Sequence, residues 1–146
     1  LVFATVHTQD ASSTVDRLID VFPGEQQGQI RTQIASTLQG VVTQTLLPTA
    51  DGQGRAPAVE ILFPDDAVRN LIRQAKIEQI YSVMQTGTKR GMVTLEQSLT
   101  DLVLRGIVDE DVAIARSSRP EQLRTFIHRI AGEPEPNAAG LRIAGS

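Results

Sequence analysis

The sequence predicts a mixed α/β fold, and three observations predict it. The stretch Leu1-Val2-Phe3-Ala4, carried on through Val6, is an apolar run with no turn residue in it. That pattern is typical of a strand buried on both faces of a parallel sheet. Two strand-like stretches, 43–47 and 58–63, flank a turn rich in Gly and Asp, the mark of a β-hairpin. From Pro64 onward the apolar residues recur at spacings of three and four, which is helical.

Taken in order, the opening strand is expected to end at Thr5-Val6-His7-Thr8, followed by a helix on which Val15, Leu18, Ile19 and Phe22 share a face. Pro23-Gly24 stops that helix. A second helix is expected from about Glu25, with Ile30, Ile34, Leu38, Val41 and Val42 along one side. The hairpin follows, its loop around Asp51-Gly52-Gln53-Gly54 too long for a tight two-residue turn. Asp65 or Asp66 can cap a helix bearing Val68, Leu71, Ile72 and Ala75. One further helix carries Ile77, Ile80, Tyr81 and Met84 and ends near Gly87. The next carries Leu95, Leu99, Leu102 and Val103 with Gly106 just past its end. Asp109 caps a short helix through Val112 and Ala115, and Pro120 opens the last, with Leu123, Phe126, Ile127 and Ile130. From Gly132 on, periodicity gives way to Pro and Gly, the composition of a disordered tail.

Composition narrows the function. A chain of 146 residues can bury one moderate core. A net charge of −3 argues against nucleic acid as a partner, because phosphate backbones need a basic face. No stretch approaches the roughly 20 apolar residues of a membrane span. The absence of Cys removes disulfides, thiol catalysis and Cys-based zinc sites, and the expected compartment is the cytoplasm. Two His without a paired spacing make no case for a metal site.

His7 is the sharpest candidate for chemistry. Ligands of open α/β sheets gather at the carboxyl ends of strands, and an imidazole there can donate a hydrogen bond to a phosphate oxygen. A plain alternative is a His bonded to neighbouring backbone. His128, beside Arg129 on the last helix, reads as surface. On 67–73, Val68, Leu71 and Ile72 form a core stripe while Arg69 and Arg73, four apart, share an exposed basic edge. The 87–91 segment with Lys89 and Arg90 reads as a plain connector. The sequence contains no Gly-x-x-x-x-Gly-Lys-Ser/Thr loop and no acidic strand end to hold magnesium.

Several segments together resemble one family. Thr5-Val6-His7-Thr8-Gln9-Asp10-Ala11, with Arg17 downstream, is similar to the histidine box of the secretion-superfamily motor ATPases, with Val6 in place of Leu and Gln9 in place of Asn. Ala67-Val68-Arg69-Asn70-Leu71-Ile72-Arg73 resembles a helix of the type IV pilus retraction (PilT-type) ATPases, with Gln74 where that family has Glu. Tyr81-Ser82-Val83-Met84-Gln85-Thr86-Gly87 and Gly91-Met92-Val93-Thr94-Leu95 look like further segments of the same branch. The similarity runs over residues 1 to 115 or so, in family order. The region 48–57 has none of the four cysteines that extension and type II secretion relatives carry near there, which favours the retraction branch.

The resemblance implies a C-terminal portion of a hexameric motor ATPase that drives pilus retraction, or twitching motility. Residues 1–63 would be the C-terminal end of a RecA-like core sheet, 64–131 an all-helical domain and 132–146 the tail. It implies that His7, Thr8 and Arg17 sense the ATP phosphate and that Ala67, Val68, Arg69, Asn70, Leu71, Ile72 and Arg73 pass motion onward. ATP and Mg²⁺ would be bound by the complete protein, whose Walker A and B elements would precede Leu1, so this portion alone would not hydrolyse ATP. The partners implied are other copies in a homo-hexamer and the pilus platform protein, at the cytoplasmic face of the inner membrane and without insertion into it. The alternative is a non-enzymatic helical adaptor on a RecA-derived scaffold.

Overall fold

A computed structural model describes residues 1–132. The order of elements is α1 (Ala11–Asp20), α2 (Gly24–Thr37), β1 (Val41–Pro48), β2 (Arg55–Leu62), α3 (Asp66–Arg73), a 3₁₀ turn (Ile77–Gln79) and α4 (Ile80–Thr86). A second 3₁₀ turn (Thr88–Arg90), α5 (Leu95–Leu104), α6 (Glu110–Arg116) and α7 (Pro120–Ala131) follow. The fold is mixed α/β, with an antiparallel hairpin of β1 and β2 as its sheet.

Two compact units divide the chain. The first comprises Leu1–Thr45 and Val59–Leu95, and the second Leu46–Ala58 and Glu96 onward. They are therefore not the segments 1–63 and 64–131, because α3 and α4 pack with the helices that precede the hairpin. Of the tail expected over 132–146, all but Gly132 lies outside the described residues.

In the first unit, Ala11, Val15 and Ile19 of α1 meet Ala35 of α2, Val68 and Ile72 of α3, and Ile80 and Met84 of α4 in one buried cluster. In α1, α3 and α4 these residues recur every four positions, as one helical face requires, whereas α2 brings Ala35 to the centre and leaves Ile34 and Leu38 of its expected stripe only partly buried beside it. Leu62 of β2, Val41 of β1, Ile77 of the first 3₁₀ turn and Met92 complete it. The link from α4 to α5 is tied back to the hairpin by the pair Ile61 N to Val93 O, 2.8 Å, and Val93 N to Ile61 O, 2.9 Å. Gly91 has φ +82°, and a Cβ there would stand 3.2 Å from the Phe63 ring, so both backbone and packing call for glycine.

In the second unit, Leu47, Ala56, Ala58, Leu99, Leu102, Val108, Ala113, Leu123 and Ile127 are buried. The stop expected at Gly106 is found: its N–H donates to Val103 O and that of Ile107 to Leu102 O, at 2.8 and 2.9 Å, with φ +65° at Gly106. These are the paired bonds of a Schellman motif. The hairpin loop is closed by Asp51, whose Oδ1 accepts from Thr49 Oγ1 at 2.6 Å and from Gln53 N at 3.0 Å. These bonds hold its carboxyl below the usual carboxylate range. Pro120 stands at the first position of α7, as its fixed φ suits.

Four expectations are corrected. Residues 1–8 form no strand, and Leu1, Val2 and Phe3 are 100%, 87% and 90% exposed. A strand exists only by its ladder, and among the described residues β1 pairs with β2 and neither with this segment. Val41 and Val42 begin β1 instead of closing α2, since α2 stops at Leu38, whose backbone is extended. Ile77 sits in a 3₁₀ turn ahead of α4. His128 is half-buried, with Nε2 3.5 Å from Glu110 Oε1 across α6 and α7.

Candidate functional site

The turn into α1 gathers the residues of the histidine box. Asp10 is the N-cap: its Oδ1 accepts from Ser13 N at 2.7 Å, and Ser13 Oγ accepts from Asp10 N at 3.3 Å. That reciprocal pair satisfies amides which the helix cannot satisfy itself. Thr14 Oγ1 donates to Asp10 O at 2.8 Å and lies 2.6 Å from Thr8 Oγ1. Because the Thr14 hydroxyl hydrogen is used on Asp10, Thr8 is the donor in the second contact. Thr8 is therefore fastened to the helix, whereas His7 stays exposed just before it.

An open cavity of about 370 Å³ lies over this turn, lined by His7, Thr8, Gln9, Asp10, Ser13, Asp16, Arg17 and Asp20. The structure thus brings all three box candidates, His7, Thr8 and Arg17, to one depression. About two turns of helix separate the Asp10 cap from Arg17 on the solvent side, and Asp16, Arg17 and Asp20 are exposed. Partial loss of hydration raises the Asp16 carboxyl above its ordinary value, and Asp20 raises it further while Arg31 opposes them.

Magnesium does not fit the side chains of this turn. Asp10 is committed as a cap, and among the described residues no three His, Asp, Glu or Cys groups converge to hold a metal ion. The cations at the rim, Arg17 and, when protonated, His7, suit an anionic oxygen instead.

The second group of candidates, 67–73, lies on α3 and does not share that cavity. Val68 and Ile72 are fully buried, and Leu71 is half-buried. Ala67, Asn70 and Leu71 line a separate open groove of about 590 Å³ with Gln79, Ser82, Val83 and Thr86. The exposed basic edge expected of Arg69 and Arg73 is only half there. Arg73 is exposed, but Arg69 is half-buried, with Nη1 donating to Ala35 O and Nη2 donating to Leu38 O at 3.2 Å. Both acceptors are carbonyls at the end of α2, where no intrahelical partner exists. Arg69 is thus a clamp between α2 and α3. The 87–91 connector also does more than connect, since Arg90 Nη2 reaches Asp65 Oδ2 at 3.1 Å beside the cap of α3.

One residue of this region is absent from the sequence reading. Glu60 on β2 is 4% exposed, and Oε1 accepts from Ala11 N at 2.6 Å while Oε2 accepts from Leu95 N at 3.3 Å. A signal for it did exist: Ala56, Ala58, Glu60 and Leu62 alternate in one phase, so a carboxylate was bound to fall on the buried face.

The sequence model of the family described as "Type II/IV secretion system protein" matches residues 1–133. The chain belongs to that family. It is 46% identical over 123 residues to a "Twitching motility protein" of Neisseria gonorrhoeae, covering 84% of this chain and 33% of that protein. Against the "Type IV pilus retractation ATPase PilT" of Pseudomonas aeruginosa the figures are 43% over 121 residues, 83% and 35%. A crystal structure described as that of the pilus retraction motor PilT with bound ADP superposes with a TM-score of 0.74 at 41% identity, over 84% of this chain and 34% of that one. The chain therefore spans about a third of the length of the curated relatives it matches. The resemblance to retraction ATPases of the secretion superfamily holds in sequence and in fold.

Proposed function

We propose that the chain is the C-terminal portion of a hexameric motor ATPase that drives type IV pilus retraction. The observation that carries this reading is the match to the ADP-bound pilus retraction motor over 84% of the chain. In this reading the turn before α1 contributes the phosphate-sensing residues: His7 and Arg17 offer donors to the terminal phosphate of ATP, and Thr8 keeps the turn in place. Helix α3, with residues 67–73, passes motion onward and takes no part in hydrolysis, since it carries no base and no carboxylate beyond Asp66. ATP and Mg²⁺ belong to the complete subunit, whose phosphate loop and metal-holding acid are supplied by residues other than these. The assembly is a homo-hexamer working on the pilus platform protein at the cytoplasmic face of the inner membrane. Among the described residues no helix is long and apolar enough to cross a membrane.

The test uses the complete subunit. His7→Ala is expected to lower steady-state ATP turnover by roughly 10²-fold, the scale for loss of one donor to a developing negative charge, with the hexamer still assembled. Unchanged turnover in assembled rings would remove the sensing role from His7. A complete subunit without a phosphate loop upstream would favour the adaptor.

A further inference from the structure

The buried Glu60 carboxylate has no part in the reading above, and its geometry points to one. We propose that Glu60 is a positioning residue for the His7 turn, holding the N-terminus of α1 at a fixed place against β2 so that His7 and Arg17 face their ligand from a rigid base. The proposal rests on the phosphate-sensing reading of that turn.

Three observations carry it. Glu60 stands in the inward phase of β2 with neighbours Ala58 and Leu62 fully buried, a position where an apolar side chain would cost less than a carboxylate. Its two oxygens are divided between two chain segments distant in sequence: Ala11 N, the first residue of α1, and Leu95 N, the first residue of α5. Both are amides that a helix leaves without an internal partner, and a negative charge at a helix N-terminus is favoured by the helix dipole. The shorter bond, 2.6 Å against 3.3 Å, is the one to Ala11, so the carboxylate holds α1 more closely than α5.

That bond also complements the Asp10 cap. Asp10 satisfies Ser13 N inside the helix, whereas Glu60 takes Ala11 N from outside it. The cap fixes the shape of the turn, and Glu60 fixes where that turn sits on the sheet. His7 and Thr8 lie four and three residues before Ala11, so a tilt of α1 about its first turn displaces them directly. A misplacement of about 1 Å is enough to cost on the order of 10²-fold in a reaction step.

The test is a cycle in the complete subunit with wild type, Glu60→Gln, His7→Ala and the double variant. Gln keeps the size and one acceptor but replaces the other oxygen with an amide NH₂, which cannot accept from a backbone N–H. Expected are a kcat lowered tenfold or more with KM for ATP within about twofold, and a much smaller further loss, the part that acts through Arg17, when Glu60→Gln is added to His7→Ala. Hydrogen exchange of the peptide covering residues 8–18 should rise in Glu60→Gln, while a peptide within α7 stays at the wild-type rate. A loss that adds in full to that of His7→Ala, or unchanged exchange over 8–18, would overturn the proposal. If His7→Ala is itself silent in turnover, the sensing reading fails, and the exchange of 8–18 alone decides whether Glu60 positions the turn.

Discussion

Helices α1 and α3 carry the two groups of candidate residues, and each starts from an aspartate that caps its first turn, Asp10 for one and Asp65 for the other. They part in what holds the candidate side chains. On the α1 side the anchoring is done by others, namely the cap, Thr14 and Glu60, and His7 and Arg17 remain exposed on a fastened turn. On α3 a candidate is itself the anchor, for Arg69 closes the end of α2. An exposed residue on a firm base can be replaced without disturbing the fold, so activity lost with it reports on chemistry. A residue that serves as a clamp cannot be read that way. Arg69 and Arg73 should therefore not be changed as a pair to probe motion coupling.

Both helices are set in the core, and truncation there has the largest expected effect. Ile19 of α1 and Ile72 of α3 are both fully buried. Ile19→Ala and Ile72→Ala should each destabilise by roughly 2–5 kcal/mol, from lost transfer energy plus the cavity left behind. Denaturant midpoints of the complete subunit measure this. If Ile19→Ala cost under about 1 kcal/mol, α1 would not be the firm base inferred here.

Next in size is the difference between the two arginines. Arg69→Gln removes charge-assisted bonds to two carbonyls, each such bond being worth about 1.5–3 kcal/mol, with part recovered by water in a half-buried site. A loss of about 2 kcal/mol is expected, against less than about 0.5 kcal/mol for Arg73→Gln at the exposed position. Equal and small losses would make the clamp incidental, and would restore Arg69 as a probe of coupling.

Much of this arrangement was legible in the sequence, and the misses share a cause. The hairpin, the Asp65 cap, the Gly106 stop and Pro120 rest on chemistry within a few residues, and they appear where local signals put them. Residues 1–8 have equally strong local signals for a strand, but a strand needs a neighbour that local sequence cannot supply. Arg69 departs from the exposed edge for a related reason: its spacing from Arg73 shows a shared helix edge, whereas its partners Ala35 and Leu38 lie more than thirty residues away. The box residues were found as a group from their resemblance. That Thr8 is spent on Thr14 while His7 is free of the helix needed atomic positions.

The ends of the two helices offer a smaller and oppositely signed test. α1 stops at Val21 in an ordinary right-handed conformation, whereas α3 stops through Ala75 at φ +58°. There the Ala75 N–H reaches Ile72 O at 3.2 Å and the Lys76 N–H reaches Leu71 O at 2.9 Å, the bonds of a Schellman stop normally built on glycine. An L-residue in that region costs roughly 1–2 kcal/mol. Glycine relieves this but loses about 0.5–1 kcal/mol through unfolded-chain entropy. Ala75→Gly should therefore stabilise by roughly 0.5–1 kcal/mol, seen as a raised denaturant midpoint. A decrease would mean that the Ala75 methyl packs more favourably than its backbone is strained.

The smallest expected effect concerns charge at the rim of the α1 cavity. Asp16 has its carboxyl raised above 3.8, first by lost hydration, then by Asp20, with Arg31 opposing. An acid whose pKa is higher in the folded state binds more protons folded than unfolded. Stability contributed through it therefore falls as pH rises through that range, and the penalty persists at neutral pH. Asp16→Asn removes the titration, so the variant should match wild type below pH 3.8 and gain on it above that value. Because the residue is exposed, the gain should stay within about 0.5 kcal/mol and shrink in added salt. Stability curves of both proteins between acid and neutral pH provide the check. A variant that loses stability above that range would show Arg31 to outweigh burial and Asp20, and the rim would then hold its acids by pairing, as α3 holds Asp65 with Arg90.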